Sequence, residues 1–376
     1  MSFFASFKKR DNYSLIFNIG SGSVIGSLVK VTEKTGVDVL CYTKEQIPFE
    51  QNLSPEKYMA NLKIATTKVG EKLHTEGVKK INHGLEKPIK IYRSYYLFSN
   101  PWCTSQTKTF KIRENKPVKL SDKYINSLIQ KQEPTTPAGE KLIENHIVQV
   151  KINGYVLNKF ENIKTKEAEI SFMTSFVNNE ALKLIEEAVA KTFITVENVL
   201  HSNTLALFST VRDLFPNEES FVTLDLSEEM TSLNVIKSGI MHTEATFPFG
   251  RNNFVRELAT NTNVDQINAD SMIKMNVKKA HNDLAGIKIE NVLKSTTEKW
   301  YQNLSQVFSH FMESLFLPQT IFFVSYLDIA NPLVEKLKQA GYKVVPLIAR
   351  KINSPVKIDD IMFKISLSFL DKIYKI

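Results

Sequence analysis

The sequence is short of glycine, cysteine and long apolar runs, and each shortage excludes something. Only 13 of the 376 residues are glycine, about half the usual ~7%. A chain built around several phosphate-cradling loops needs more, because backbone amides approach a phosphate closely only where Cβ is missing. Cys41 and Cys103 stand alone, and the seven histidines show no HxxxH spacing, so neither a disulfide framework nor a zinc site is indicated. No run reaches the ~18 apolar residues of a membrane span; the best stretch, Leu315 to Leu327, is cut by Pro318, Gln319 and Ser325. At the start of the chain Phe3, Phe4 and Phe7 precede Lys8, Lys9 and Arg10, the wrong order for a signal peptide. A cytoplasmic, reduced protein is expected.

With 43% hydrophobic and 23% charged residues, the composition is that of a globular protein, which excludes wholesale disorder, collagen and coiled coil. The length suits two domains or one two-lobed body. The formal charge of +8 is unevenly spread: residues 1–150 hold 23 Lys/Arg against 14 Asp/Glu, and residues 151–376 hold 25 against 26. A basic half fits a polyanionic partner, either nucleic acid or an anionic membrane face; it equally fits a solvated lysine-rich surface. No RNP, helix-turn-helix or zinc pattern accompanies it, so no nucleic-acid partner is expected.

Along the chain, Tyr13 to Asn18 is an apolar strand ending at Gly20-Ser-Gly-Ser23, and Val24 to Val31 and Val37 to Tyr42 continue a β-meander. Ser54-Pro55-Glu56 is a helix start, with Tyr58, Leu62, Ala65, Val69 and Leu73 at helical spacing. Residues 84–192 read as a compact α+β insertion. It comprises an aromatic strand at Pro88 to Phe98, a helix at Ser121 to Gln132, strands flanking Asn153-Gly154 and a helix from Asn179 to Phe193. The second half runs strand, hairpin across Ser238-Gly239, three helices, strand, helix, strand and a last helix from about Ile358.

The most informative pattern is an internal echo. Leu15-Ile-Phe-Asn18-Ile-Gly20-Ser-Gly22-Ser23 aligns with Val222-Thr-Leu-Asp225-Leu-Ser227-Glu-Glu229-Met230. Each is an apolar strand ending in Asn or Asp, a polar turn and a returning strand, so two related lobes are expected. A nucleotide can be held between such lobes, one turn gripping each side of its phosphates through backbone amides.

On these residues the chain resembles the actin-like ATPase superfamily, and within it the FtsA and PilM type. That family's first turn, Asp-Ile-Gly-Ser-Ser or similar, is Asn18-Ile-Gly-Ser-Gly-Ser23 here. Its second, Asp-Ile-Gly-Gly-Gly-Thr, is Asp225-Leu-Ser-Glu-Glu-Met230-Thr231, and its Ile-Pro-Ile-Gly-Gly-Asn is Phe247-Pro-Phe-Gly250-Arg-Asn252-Asn253. Phe98-Ser-Asn-Pro-Trp102 and Val150-Lys-Ile-Asn-Gly-Tyr155 are similar to the SHS2-type subdomain, called 1C, of FtsA and PilM.

The resemblance implies an α/β, actin-like (ASKHA) two-lobed fold of duplicated ribonuclease H-like subdomains with an α+β SHS2-like insertion. Its parts are a basic and aromatic segment at 1–12, a first lobe from 13–83 and 193–215, the insertion at 84–192, and a second lobe with a C-terminal helix at 216–376. It also implies a nucleotide cleft at Gly20, Ser21, Gly22, Ser23, Asp225 and Gly250. The departures weaken that cleft. Asn18 replaces an acid that orders magnesium in the family, the adenosine-side loop at Val324-Ser-Tyr-Leu-Asp-Ile329 has no glycine, and Glu228 and Glu229 stand where amides would meet phosphate. A carboxylate ~4 Å from a phosphate charge costs about 1 kcal/mol in water-like dielectric and ~4 at ε near 20. Weak or lost binding of ATP and Mg²⁺ is expected, with no catalytic residue assigned; the alternative is an active ATPase with divergent loops.

Gly20 to Ser23 also reads as a plain hairpin turn, Asp225 as a turn carboxylate, and His201 as a hydrogen-bonded residue rather than a base. Trp102, Tyr95, Tyr96 and Phe98 read as core of the insertion or as a peptide-binding surface. A short helix would set Phe3, Phe4 and Phe7 beside Lys8, Lys9 and Arg10, a membrane-surface pattern worth roughly 1 kcal/mol per basic residue near an anionic leaflet. Ile358, Met362, Ile365, Phe369, Ile373 and Ile376 recur at helical spacing; without a linker before them they read as a core helix rather than a membrane anchor. The resemblance implies a cytoplasmic scaffold, peripheral on the inner face of the membrane. It would bind a protein partner, either a division-filament tail or a pilus-assembly peptide, and self-assemble into oligomers or filaments.

Overall fold

The computed structural model describes all residues except 1–11, 33–35, 49–52, 84, 86, 132–135, 158, 196, 277–283, 313–315, 348–356 and 376. The chain opens with β1 (Asn12–Ile19), β2 (Ser23–Thr32) and β3 (Gly36–Gln46), then α1 (Pro55–Lys72), which passes through a wide turn at Leu73–Val78 into the short α2 (Lys79–Asn82). β4 (Ile91–Phe98) precedes β5 (Cys103–Lys119), α3 (Asp122–Lys131), β6 (Glu140–Ile152), the two-residue β7 (Tyr155–Val156) and β8 (Lys164–Asn178). α4 (Asn179–Ala190), β9 (Glu197–Ser202) and α5 (Asn203–Leu214) complete the first half. The second half is β10 (Phe221–Leu226), β11 (Thr231–Lys237), β12 (Ile240–Phe247), α6 (Arg251–Thr262), α7 (Gln266–Asn276), α8 (Leu284–Met312), β13 (Thr320–Val324), α9 (Ala330–Gln339), β14 (Lys343–Pro346) and α10 (Ile361–Lys375).

Local chemistry sets the element ends. Ser54 caps α1, its hydroxyl accepting from the Lys57 amide at 3.3 Å, with Pro55 at the first helical position. Asn178 and Ser202 cap α4 and α5 in the same way. Ser238 and Gly239 both take positive φ, 48° and 76°, the type I′ geometry a two-residue hairpin demands.

Two five-stranded sheets repeat one topology. The first runs β3-β2-β1-β4-β9 and the second β12-β11-β10-β13-β14. In each, a meander of antiparallel strands is extended by two parallel ones on the far side of the first strand. The echo seen in the sequence is therefore a duplicated unit. A third, antiparallel sheet, β5-β8-β6-β7, carries α3 on one face, where Ile125 and Ile129 pack on Ile112, Ile170 and Phe172.

The sheets divide the chain at places other than the sequence suggested. The sequence pattern places β4 in the insertion, yet it is an interior strand of the first sheet, pairing with β1 and β9. α4 buries Ala181, Leu182, Ile185 and Val189 against Leu62, Ala65 and Val69 of α1, so it too belongs to the first lobe. Along the chain, the insertion's own sheet runs from β5 to β8. α10, grouped with the second lobe in sequence, buries Phe363, Ile365, Phe369 and Leu370 in a core shared with Ile16, Ile25 and Val39 of the first sheet, Leu207 and Val211 of α5, and Phe221 and Phe322 of the second sheet. Asp371 also accepts from the Val37 amide of β3 at 3.0 Å. Its periodic apolar face is core, as expected, and its partners are α5 and β3. The N-terminal pattern of Phe3, Phe4, Phe7, Lys8, Lys9 and Arg10 lies outside the described residues.

Candidate functional site

The β1–β2 turn of the first lobe and the β10–β11 turn of the second face each other. Each is closed by an equivalent backbone bond, Gly20 N to Ser23 O and Ser227 N to Met230 O, both 2.9 Å. The first turn is buttressed from behind. The Trp102 indole donates to Gly20 O at 2.7 Å, the Tyr58 hydroxyl donates to Ser21 O, and the two rings tilt together at 4.8 Å. Trp102 is buried in the core of the first lobe rather than in that of the insertion, and it shapes the turn.

Across the cleft the turns bond directly to each other. The Ser21 and Ser227 hydroxyls lie 2.7 Å apart, the Glu229 amide donates to Ser21 Oγ at 3.0 Å, and Ser23 Oγ donates to Glu228 Oε1 at 2.6 Å. Glycine is required here for close approach: a Cβ on Gly22 would lie 2.4 Å from Glu228 Cβ. Gly250 meets the same need at the start of α6, where a Cβ would lie 2.4 Å from the Glu228 carbonyl oxygen. The first amides of α6 are spent on the turn, Arg251 N on Ser227 O at 2.9 Å and Asn252 N on Glu228 O at 2.8 Å. A helix start that would otherwise receive an anion is already occupied by backbone.

The two glutamates behave differently. Glu229 turns into its own lobe, accepting from Arg256 at 2.8 and 3.2 Å and from Asn252 Nδ2 at 2.7 Å. Glu228 points into the cleft, where Lys44 Nζ of β3 lies 2.9 Å from its carboxylate. Lys44 also binds Asp360, just before α10, at 2.8 Å, and donates to the Tyr326 hydroxyl at 3.3 Å. Burial alone would push Glu228 up; the Lys44 cation and hydrogen bonds from Ser23 and Tyr326 outweigh it and hold the carboxylate well below its usual range. Lys44 is disfavoured by burial and held charged by Glu228, Tyr326 and Asp360. Among the described residues no cation pairs with Asp225; burial, then Asp360 and Glu228, push its carboxyl up to about 8.

Asn18, at the end of β1, is bonded away from the cleft, donating to Ser366 Oγ of α10 at 2.7 Å and exchanging amide hydrogen bonds with Asn203 at 3.1 and 3.2 Å. On the adenosine side, Tyr326 fills the loop, with Arg251 over its ring at 5.3 Å and gripping Asp328 and Asp270. What remains between the turns is a cavity of about 40 Å³ beside Asn18, Ser23, Asp225, Tyr326 and Asp360, room for a few waters at ~10–15 Å³ each. All six cleft residues read from the sequence, Gly20, Ser21, Gly22, Ser23, Asp225 and Gly250, come together here. As they stand they do not fit a magnesium-bound triphosphate, because the Glu228 carboxylate and the Lys44 ammonium paired with it fill the space between the turns. Lys44, Tyr326 and Asp360 went unrecognised in the sequence as site residues; no local pattern marks them, since each reaches the cleft from a different element. His201 lies elsewhere, its Nδ1 3.1 Å from Glu144 and its ring edge on Phe369.

Duplicated sheets of this topology, with facing turns and a separate α+β insertion, define the actin-like ATPase fold. A chain of a solved PilM–PilN type IV pilus biogenesis complex superposes with a TM-score of 0.61 at 14% identity, covering 96% of this chain and 98% of that one. The ethanolamine utilization protein EutJ from Carboxydothermus hydrogenoformans is a more distant match, with a TM-score of 0.47 at 13% identity over 96% of this chain and 90% of the other. No family model matches the chain, and no curated protein matches it.

Proposed function

We propose that the chain is a PilM-like scaffold that recruits type IV pilus or secretion assembly partners at the cytoplasmic face of the inner membrane, with weak or lost binding of ATP. The observation that carries this reading is the Glu228 carboxylate, seated between the two turns with Ser23 and Lys44 at 2.6 and 2.9 Å. In an actin-like fold that space is where nucleotide phosphates would be gripped, and filling it leaves the protein's surfaces to do the work. The end-to-end likeness to a chain from a PilM–PilN complex favours a pilus partner over a division filament. Among the described residues no helix is long and apolar enough to cross a membrane; the aromatic and basic pattern of Phe3, Phe4, Phe7, Lys8, Lys9 and Arg10 supports attachment by that segment. A hollow on the insertion beside Lys111, Arg113, Lys151, Glu167 and Glu169 is one place for a partner to dock. Deleting the gene and scoring both piliation and division tests the role: loss of pili with normal division is expected, and filamentous cells with intact pili would contradict it.

A further inference from the structure

We infer that Glu228 is a built-in ligand: its carboxylate occupies an oxyanion site made by Ser23, Lys44 and Tyr326 and holds the two lobes together where a bound phosphate otherwise would. The inference deepens, and rests on, the reading that the cleft works without nucleotide. The donors come from both sides. Ser23 opens β2 and Lys44 lies on β3, both in the first lobe, while Tyr326 follows β13 in the second. Glu228 is itself in the second lobe, so its bonds to Ser23 at 2.6 Å and Lys44 at 2.9 Å cross the cleft, and the Tyr326 phenol, 3.3 Å from Lys44 Nζ, stands beside them as the third donor. A hydroxyl, an ammonium and a phenol converging on one carboxylate form the set of donors that binds a small oxyanion.

The site is built around this side chain. Glu228 is 5% exposed, its Cβ lies where a side chain on Gly22 would go, and its carbonyl lies where one on Gly250 would go. Both glycines can be understood as making room for Glu228 itself. Asp360 completes the arrangement by sharing Lys44 at 2.8 Å, which links the latch to α10 and the core between the sheets.

A ligand that is part of the chain can be removed and replaced. Truncating it in Glu228→Ala should leave Ser23, Lys44 and Tyr326 around an empty oxyanion site. Inorganic phosphate and acetate are the probes, against chloride at equal ionic strength, with the thermal midpoint of the full chain as readout. Glu228→Ala is expected to melt several degrees below wild type and to recover roughly 3–5 °C in saturating phosphate or acetate. Wild type and the isosteric Glu228→Gln, whose sites are filled, should not respond, and neither should Glu228→Ala combined with Lys44→Ala. Equal phosphate responses in wild type and Glu228→Ala, or a Glu228→Ala midpoint equal to that of wild type, would overturn the inference. If Glu228→Ala does not fold, Glu228→Gln and Lys44→Met decide: each should melt lower, and the double variant no lower than the worse single one, whereas additive losses would show that the two side chains act independently. Mg-ATP binding by wild type would bring down the proposed function and leave this test standing.

Discussion

Ser23 and Glu228, 205 residues apart in the chain, share a buried hydrogen bond of 2.6 Å. It joins the first residue of β2 to the β10–β11 turn, and so fastens one lobe to the other. Together with the Ser21–Ser227 contact of 2.7 Å, it makes the two turns a single hydrogen-bonded unit. The lobes are joined a second time on the insertion side, where Glu244 of β12 accepts from Asn100, the Ser105 amide and Thr204 at 2.6–3.0 Å. These contacts hold the cleft at both ends, which is what the proposed scaffold reading requires.

The closeness of the turns depends on Gly250. A methyl group there would lie 2.4 Å from a backbone carbonyl oxygen, which cannot swing aside as a side chain can. Gly250→Ala is expected to destabilise the protein by about 1–3 kcal/mol, the usual cost of overpacking. Urea unfolding checks it, and an unchanged midpoint would show that α6 can slide away from the turn.

Asp225 should make stability fall as pH rises. Its carboxyl is pushed up to about 8 by burial and by Asp360 and Glu228, while in the unfolded chain it titrates near ~4. Between those values the folded protein keeps a proton that the unfolded chain has lost, so each pH unit upward costs roughly 1 kcal/mol. Asp225→Asn is expected to match wild type near pH 4 and to melt several degrees higher at pH 8. Parallel pH profiles for the two proteins would contradict the assignment.

Glu228 acts in the opposite direction. Its folded value is held down by Lys44 and its hydrogen bonds despite burial, so its contribution is fully present above the ordinary glutamate range and is lost as pH falls through the lowered value. In Glu228→Gln the acid limb of the stability profile should flatten. A stability profile from pH 2 to 6 measures this, and an acid limb as steep as that of wild type would assign it to other carboxylates.

The basic and aromatic start of the chain makes a separate prediction. Intact protein is expected to co-sediment with vesicles containing anionic lipid, and a version lacking residues 1–10 to bind at least several-fold less, given roughly 1 kcal/mol per basic residue. Equal binding by the two would dispose of the membrane role for this segment.

The duplicated meander was legible in the sequence because both copies keep an apolar strand, a polar turn and a returning strand, with Asn18 and Asp225 at matching ends. The boundaries of the insertion were not legible. β4 runs into β5 with only Ser99 to Trp102 between them, and it is pairing with β1 and β9 that assigns β4 to the first sheet. The sequence also set Glu228 and Glu229 side by side as equivalent repellents of phosphate. Arg256 and Asn252 draw Glu229 away, and it is Lys44 that selects Glu228 for the cleft. That selection depends on residues from opposite halves of the chain, and no local spacing encodes it.

Titration of the wild-type chain with Mg-ATP in an isothermal calorimeter tests the central claim most directly. With Glu228 and Lys44 filling the space between the turns, no binding heat is expected across the micromolar range. A low-micromolar dissociation constant would contradict the account, because the latch would then have to open for a nucleotide.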